Sequence, residues 1–372
     1  MNYRKKLFSI RNIYDLKNTE DLFLGAVREN AAFQQNNCPD YARLLKAEGF
    51  EPGSIRSAED ICRIPVLPTL FFKSHELYSM DESAFKIHAT SSGTKGKKSN
   101  IGLDRDTYRL GIRMVIRTFF RHNIISPVPA NYIVLGYEPS KQNRMGAVQT
   151  AYGTTRFAPA LHREYALKFN GSDYELNIEG VKNALVRYDK MGFPVRFVGF
   201  PGYMYFLVRT LQENGIRLRL NSLSKVLLGG GWKQFSAERI DKKELYRLIY
   251  ETLGIREENC REFFSAVEHP VAYCDCRHHH FHVPIYSRVI IRDADTLTPL
   301  PNGEKGLLSF VTPLVKSMPL LCVVTDDLAV MRDGAECGCG IDAPYFEILG
   351  RAGIQDIKTC AAGAAEILGG AK

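Results

Sequence analysis

Ala89-Thr90-Ser91-Ser92-Gly93-Thr94-Lys95-Gly96-Lys97-Lys98-Ser99 lies between an expected strand, Phe85 to Ala89, and the stretch Ile101-Gly102-Leu103. Small residues let successive backbone N–H groups approach an anion, hydroxyls donate further hydrogen bonds, and lysines add positive charge, a combination that suits a triphosphate. The P-loop pattern Gly-x4-Gly-Lys-Ser/Thr is absent. By composition alone the stretch fits an exposed Ser/Gly/Lys turn equally well.

Outward from this loop, short β-branched runs alternate with amphipathic helices, the rhythm of an α/β protein with an at least partly parallel sheet. Further strands are expected at Tyr132 to Gly136, Val195 to Phe200, Lys225 to Leu228 and Glu262 to Ala266, and helices at Asp106 to Phe120, Gly202 to Asn214 and Ser236 to Leu253. Upstream, Thr19 to Gly49 carries helical periodicity, and Ser57 followed by Asp60 marks another helix start, closed by Ile64-Pro65-Val66-Leu67-Pro68. Beyond Val283 the pattern changes to hairpin-like strands, Ser287 to Arg292 and Gly306 to Thr312, around Pro301-Asn302-Gly303. These shifts divide the chain into a helical N-terminal segment with an α/β core (1–282), a β-rich subdomain of the same core (283–351) and a short tail (352–372) carrying Cys360.

The 372 residues, 45% apolar and 24% charged, describe a folded protein. Its 49 Lys and Arg against 41 Asp and Glu give +8, but the basic residues are scattered and form no aromatic-interleaved stripe. Nucleic acid is therefore an unfavoured partner, whereas a polyphosphate or carboxylate ligand suits the charge. No run reaches the ~18 apolar residues of a membrane span, and Met1 to Lys6 leads into no signal-peptide core, so a cytoplasmic location is expected. Nine cysteines then read as reduced thiols or metal ligands.

Three more segments carry chemistry. Leu227-Leu228-Gly229-Gly230-Gly231-Trp232-Lys233 follows an apolar strand; a flat ligand fits bare backbone there, and so does a tight turn with Trp232 in the core. Phe263-Phe264-Ser265-Ala266-Val267-Glu268-His269 presents a carboxylate after a strand, a common place for a Mg²⁺ ligand and equally for an exposed loop acid. Pro319-Leu320-Leu321-Cys322-Val323-Val324-Thr325-Asp326-Asp327-Leu328 ends an apolar run on two acids, one of them able to accept from ribose hydroxyls.

Taken in order, Ser-Ser-Gly-Thr-x-Gly, Gly-Gly-Gly-Trp, aromatic-x-x-x-Glu, Thr-x-Asp and Ile348-Leu349-Gly350-Arg351 resemble the adenylate-forming superfamily of acyl-CoA synthetases, from about Ile64 to Cys360. Phe200-Pro201-Gly202-Tyr203, Cys337-Gly338-Cys339-Gly340 and the length are most similar to its phenylacetate-CoA ligase and LuxE-type acyl-protein synthetase branch. The resemblance implies the large α/β domain of that fold, with mixed or parallel sheets flanked by helices plus a β-rich subdomain. It also implies ATP and Mg²⁺: Ser91, Ser92, Gly93, Thr94, Lys95 and Gly96 on the phosphates, Gly229, Gly230 and Gly231 at the adenine, Glu268 on Mg²⁺, Asp327 on the ribose and Arg351 at the hinge. Thr325-Asp326-Asp327 departs from the usual Thr-Gly-Asp, Phe264-Ser265-Ala266-Val267-Glu268 from Tyr-Gly-x-Thr-Glu, and Lys98-Ser99 from Pro-Lys.

Acyl-CoA ligases follow the Gly-Arg hinge with a mobile domain of ~100 residues, a size that folds independently; here 21 residues follow Arg351. Acyl-protein synthetases share this length and carry an acyl-accepting cysteine near the end, the place of Cys360, with Lys358 near enough in sequence to favour its thiolate. The expected function is therefore ATP-dependent adenylation of a carboxylic acid, a fatty acid in particular, capture on Cys360, and delivery to an acceptor protein such as a reductase or carrier, which leaves room for a hetero-oligomer. The alternatives are a ligase that charges CoA or a carrier protein, and a non-catalytic nucleotide-binding scaffold subunit. Finally, Cys276, His282, Cys337 and Cys339 form a candidate structural Zn²⁺ site, with Cys274 and His280 as substitutes; a polar edge strand with free thiols is the other reading.

Overall fold

Ile133, Val134 and Leu135 are all fully buried, so the strand Ala130–Tyr137 is covered on both faces, as an interior parallel strand requires. It pairs in parallel with Ala160–Phe169 on one side and Val195–Gly199 on the other; Lys225–Gly229 and Cys260–Ala266 continue the second side, also parallel. Tyr174–Leu176 closes the far edge antiparallel to Ala160–Phe169. The computed structural model describes residues 2–91, 98–140, 143, 146–232 and 238–352, and its chain forms two compact units, Phe119–Phe264 and the residues before and after that segment.

Within Phe119–Phe264, the helices Ile178–Met191, Pro201–Glu213 and Lys242–Leu253 turn their apolar stripes onto a core that includes Val181, Leu185, Leu207, Leu211 and Ile249. Pro201 occupies the first turn of its helix, where its missing N–H costs nothing, and Gly192 and Gly254 end the other two in the left-handed conformation. The third helix starts at Lys242, capped by Asp241; Ser236, where the expected helix begins, lies outside the described residues. The strand Ala160–Phe169 and the helix Ile178–Met191 were not expected from the sequence. Leu161, His162 and Arg163 are exposed, so that strand shows neither a continuous apolar run nor clean alternation.

The other unit begins with Leu16–Asn37 and Pro39–Ala47, one helical stretch broken at Cys38-Pro39, and Ala58–Cys62, which starts with a reciprocal capping box between Ser57 and Asp60. Its main sheet runs Phe281–His282, Tyr345–Arg351, Cys322–Arg332, Lys305–Val311 and Arg288–Arg292, all antiparallel; Leu67–Pro68 joins Cys322–Arg332 in parallel, Leu67 opposite Val323. Phe85–Thr90 and Asn100–Asp104 form a separate antiparallel pair. The N-terminal helices are tied to the late part of the chain: Arg4 Nη1 donates to Leu314 O at 2.8 Å and Asn30 Nδ2 to Val315 O at 2.8 Å. No helix among the described residues is long and apolar enough to cross a membrane.

Gly199 ends a central strand at φ 139°, and a Cβ there would lie 2.3 Å from Leu135 O. Gly199→Ala is expected to destabilise the protein by about 2–4 kcal/mol, since neither backbone can move without breaking the ladder. Gly153→Ala, where a Cβ meets nothing within 4 Å, should be neutral or stabilising by up to about 1 kcal/mol. Urea-unfolding midpoints of the two variants check the contrast.

Candidate nucleotide and metal sites

The apolar run before Thr325-Asp326-Asp327 does not stop at the acids. The strand Cys322–Arg332 continues through them, and its pairing with Tyr345–Arg351 sets Asp327 opposite Arg351. Arg351 spans both carboxylates, with Nη1 3.6 Å from Asp326 Oδ2 and Nε 3.6 Å from Asp327 Oδ1. Thr325 Oγ1 donates to Leu308 O at 3.2 Å and accepts the Asp327 N–H at 3.2 Å, which fixes the backbone at the acid. Burial pushes the Asp327 carboxyl up to about 6, with Arg351 opposing the shift and Asp326 adding to it.

Glu268 occupies the two-residue turn between Cys260–Ala266 and His269–Cys274 and is only 5% exposed. Burial raises its pKa; the Ser99 hydroxyl, its own backbone N–H and Lys73 favour the ionised form, and Asp326 disfavours it. Neither Lys73 nor Asp326 was singled out from the sequence as a site residue. Lys73 ends the turn Phe71–Lys73, whose two phenylalanines are buried, just after Thr69 N–H donates to Val324 O at 2.9 Å. The pairing that brings Lys73 within electrostatic reach of Glu268 joins residues far apart in the chain, so no local pattern announces it.

Ser91 and Ser99 close the base of the Ser/Gly/Lys loop. Ser91 N–H donates to Ser99 O at 3.2 Å, and Ser99 N–H donates to Ser91 Oγ at 2.9 Å. Ser99 is fully buried; its hydroxyl favours the ionised form of Glu268 but completes no hydrogen bond of normal geometry among the described residues. Ser92, Gly93, Thr94, Lys95 and Gly96 lie outside the described residues, as do Lys358 and Cys360.

In the Phe119–Phe264 unit, Gly229 ends its strand against Phe263, where a Cβ would sit 2.7 Å from the Phe263 carbonyl. Gly230 and Gly231 follow at φ 80° and 74°, so the backbone itself requires glycine at these positions. Trp232 is partly buried against the core, its ring 5.7 Å from that of Tyr205.

The soft ligands converge. One ligand atom from each of Cys276, His282, Cys337 and Cys339 lies within 4.8 Å of the other three. Cys276 Sγ is 3.5 Å from Cys337 Sγ, and Cys339 Sγ is 3.2 Å from His282 Nε2. His282 Nδ1 lies 2.6 Å from the Ala343 carbonyl, an acceptor, so Nδ1 carries the proton and the Nε2 lone pair faces the thiols. Pairing of Phe281–His282 with Tyr345–Phe346 brings the two halves together, and Gly338 and Gly340, at φ 68° and 87°, fold the Cys-x-Cys turn. Cys274 and His280 are not part of the four; His280 Nδ1 contacts Cys337 Sγ from outside at 3.1 Å. Burial, then the adjoining thiols, push the Cys337 thiol up.

A profile of the family described as acyl-protein synthetase, LuxE, matches residues 13–368. The chain belongs to the LuxE family. This LuxE-family chain is 26% identical over 366 residues to a long-chain-fatty-acid–luciferin-component ligase of Vibrio harveyi, the match covering 94% of the chain and 88% of the relative. It is also 25% identical over 317 residues to a phenylacetate-coenzyme A ligase of Thermus thermophilus, covering 83% of the chain and 64% of that protein. A solved 2-hydroxyisobutyryl-CoA ligase, in an open conformation with 2-HIB-AMP and CoA, superposes with a TM-score of 0.70 at 17% identity, covering 92% of this chain and 76% of that one. The fold is thus the adenylate-forming one expected from the sequence.

The Asp327 value gives a pH signature. Because the folded pKa, about 6, lies above the ordinary 3.8, the folded state holds this proton more tightly than the unfolded chain. Its stabilising contribution is complete below about pH 4 and is lost as pH rises through about 6. Asp327→Asn, which stays neutral, should therefore gain stability relative to the parent over that window, by up to about 3 kcal/mol at pH 8. Parallel urea titrations at pH 4 and pH 8 measure the difference.

Proposed function

We propose that this LuxE-family chain is an ATP-dependent ligase that activates a carboxylic acid, a long-chain fatty acid in particular, as its adenylate and moves the acyl group through Cys360 to an acceptor protein. The observation that carries this reading is the group formed by Glu268, Asp326, Asp327 and Arg351 with the base of the Ser/Gly/Lys loop, on a chain whose relatives are named for acid activation. A buried carboxylate turn that faces a hydroxyl is a hard-oxygen site, which fits Mg²⁺ at Glu268. Mg²⁺ there supplies charge neutralisation for departing pyrophosphate. The acid's carboxylate oxygen attacks the α-phosphorus, and the bond to the pyrophosphate oxygen breaks. Loop N–H groups, hydroxyls and lysines hold the phosphates in line, and Asp327 accepts from the ribose. The Cys360 thiolate, favoured by Lys358, then attacks the acyl carbon and AMP leaves, giving a thioester that an acceptor thiol can take over.

Cys360→Ala should retain acid-dependent pyrophosphate exchange into ATP while forming no covalent complex with labelled acid. Glu268→Gln should lower the exchange itself by about 10²–10³-fold. Label that still attaches to the Cys360 variant removes that residue from the pathway. The identity to a phenylacetate-CoA ligase favours one second reading, transfer to CoA instead of Cys360, which product analysis with CoA present separates from the first.

The four-residue Cys/His cluster serves this enzyme, in our reading, as a structural Zn²⁺ site. Four protein ligands leave no open coordination position, and the pairing of His282 Nδ1 with a carbonyl is the orientation that a zinc-bound imidazole needs. No disulfide forms among the described cysteines, which suits a reducing, cytoplasmic setting. The purified protein should hold about one equivalent of zinc. Cys337→Ser should release that metal and cost several kcal/mol of stability, read by metal analysis and thermal unfolding.

A further inference from the structure

We propose that the outer face of the helix Arg105–Arg121, together with the basic segment held beside it, docks on an anionic phospholipid surface. The contact is peripheral, and it stands or falls independently of the adenylation reading.

The helix reads Arg-Asp-Thr-Tyr-Arg-Leu-Gly-Ile-Arg-Met-Val-Ile-Arg-Thr-Phe-Phe-Arg. Thr107, Leu110, Met114 and Thr118 are buried and form its inner side. Ile112 follows Leu110, and Ile116 follows Met114, by two residues, about 200° around the axis. They are 43% and 49% exposed, and Phe120, one turn further along, is 70% exposed. Large apolar side chains at four-residue spacing on the water-facing side take no part in the inner packing, so the fold does not account for them.

Cations surround this stripe. Arg105, Arg109 and Arg113 are exposed; Arg109 precedes Ile112, and Arg113 precedes Ile116, by three residues, about 60° around the helix. Arg117 is engaged otherwise: its Nη1 donates to Phe8 O at 2.8 Å and Ile10 O at 2.6 Å, and its Nη2 to Ser9 O at 2.7 Å. These bonds clamp the N-terminal segment alongside the helix, where Lys5 Nζ lies 3.6 Å from Asp106 Oδ2. The clamp adds the exposed Lys5, Lys6 and Arg11 to the basic surface. Asp106 is the only acid of the helix, and Arg109 Nη1 also stands 3.9 Å from it.

Charge complementarity calls for an anionic partner, and the mixture of side chains favours a bilayer over a protein. Cations meet headgroup phosphates while isoleucine and phenylalanine enter the acyl boundary, and neither contact needs a fixed shape. Basic residues clustered on an amphipathic helix are the pattern that anionic lipid recruits. A protein interface gathers its apolar residues in a core depleted of charge, whereas here an arginine flanks each isoleucine. Docked in this way, a ligase for a long-chain acid meets its substrate in the phase where that acid partitions.

The test is co-sedimentation of the full chain with vesicles of equimolar phosphatidylcholine and phosphatidylglycerol, against vesicles of phosphatidylcholine alone. Binding should require the anionic lipid and weaken as salt rises from about 0.1 M to about 1 M, which shortens the Debye length from ~10 to ~3 Å. Arg105→Gln/Arg109→Gln/Arg113→Gln should weaken it by about 10²-fold, and the corresponding lysine triple should keep it, since headgroup attraction reads charge. Ile112→Gln/Ile116→Gln/Phe120→Gln should weaken it by about tenfold or more. Urea midpoints should stay parent-like throughout, because every replaced side chain is exposed. Equal binding to both vesicles, or parent-like binding by the glutamine variants, overturns the proposal. So does a lysine triple that loses binding, or a chain that ignores both vesicles yet is retained on polyglutamate, either of which gives the face to an acidic protein.

Discussion

The pairing of Cys322–Arg332 with Tyr345–Arg351 is the constraint on which most of this chemistry depends. At one end its register brings a guanidinium across from two acids that would otherwise repel each other in a partly desolvated place. At the other end the strands part, and the connection between them carries Cys337 and Cys339 to the thiol and imidazole of Cys276 and His282. A slip of one residue would turn Asp327 to the opposite face of the sheet and pull the cysteines out of reach. The candidate nucleotide acids and the candidate zinc site are therefore two consequences of one hydrogen-bond ladder.

Burial does different work at the two carboxylates. Asp327 faces Arg351 and still holds its proton more tightly than an ordinary aspartate, because desolvation outweighs a guanidinium 3.6 Å away and 62% exposed. Glu268 is deeper and forms no ion pair among the described residues; the groups that favour its charge are a hydroxyl, a backbone N–H and a lysine. Acids arranged in this way are costly to the fold and suited to a positively charged guest, the usual trade between stability and function.

Much of the architecture was legible in the sequence because it is written locally. The Ser57–Asp60 capping box, Pro201 after a buried strand, and the apolar runs of the parallel sheet each satisfy a rule that spans only a few residues. What escaped the sequence depends on distant partners. Asp326 and Asp327 read as the end of an apolar run, yet they lie inside a strand because Tyr345–Arg351 pairs there. Lys73 is one of 49 cations until Leu67–Pro68 pairs with Val323–Val324. The exposed face of Ala160–Phe169 hides its strand, since surface residues there obscure the period. Among the candidate ligands, Cys and His draw attention by their rarity and spacing.

The N-terminal helices reach forward to Leu314 and Val315, and Leu67 waits for Val323. Phe119–Phe264, by contrast, is continuous and self-contained. During synthesis from the N-terminus, the ribosome thus completes the middle of the molecule while its first hundred residues still lack their partners. The two outer thirds can meet only when translation is nearly over, so the carboxylates, the lysine and the Cys/His cluster are assembled last. Closing contacts over such sequence separations is slow, which makes this late step the one most exposed to misassembly in a nascent chain.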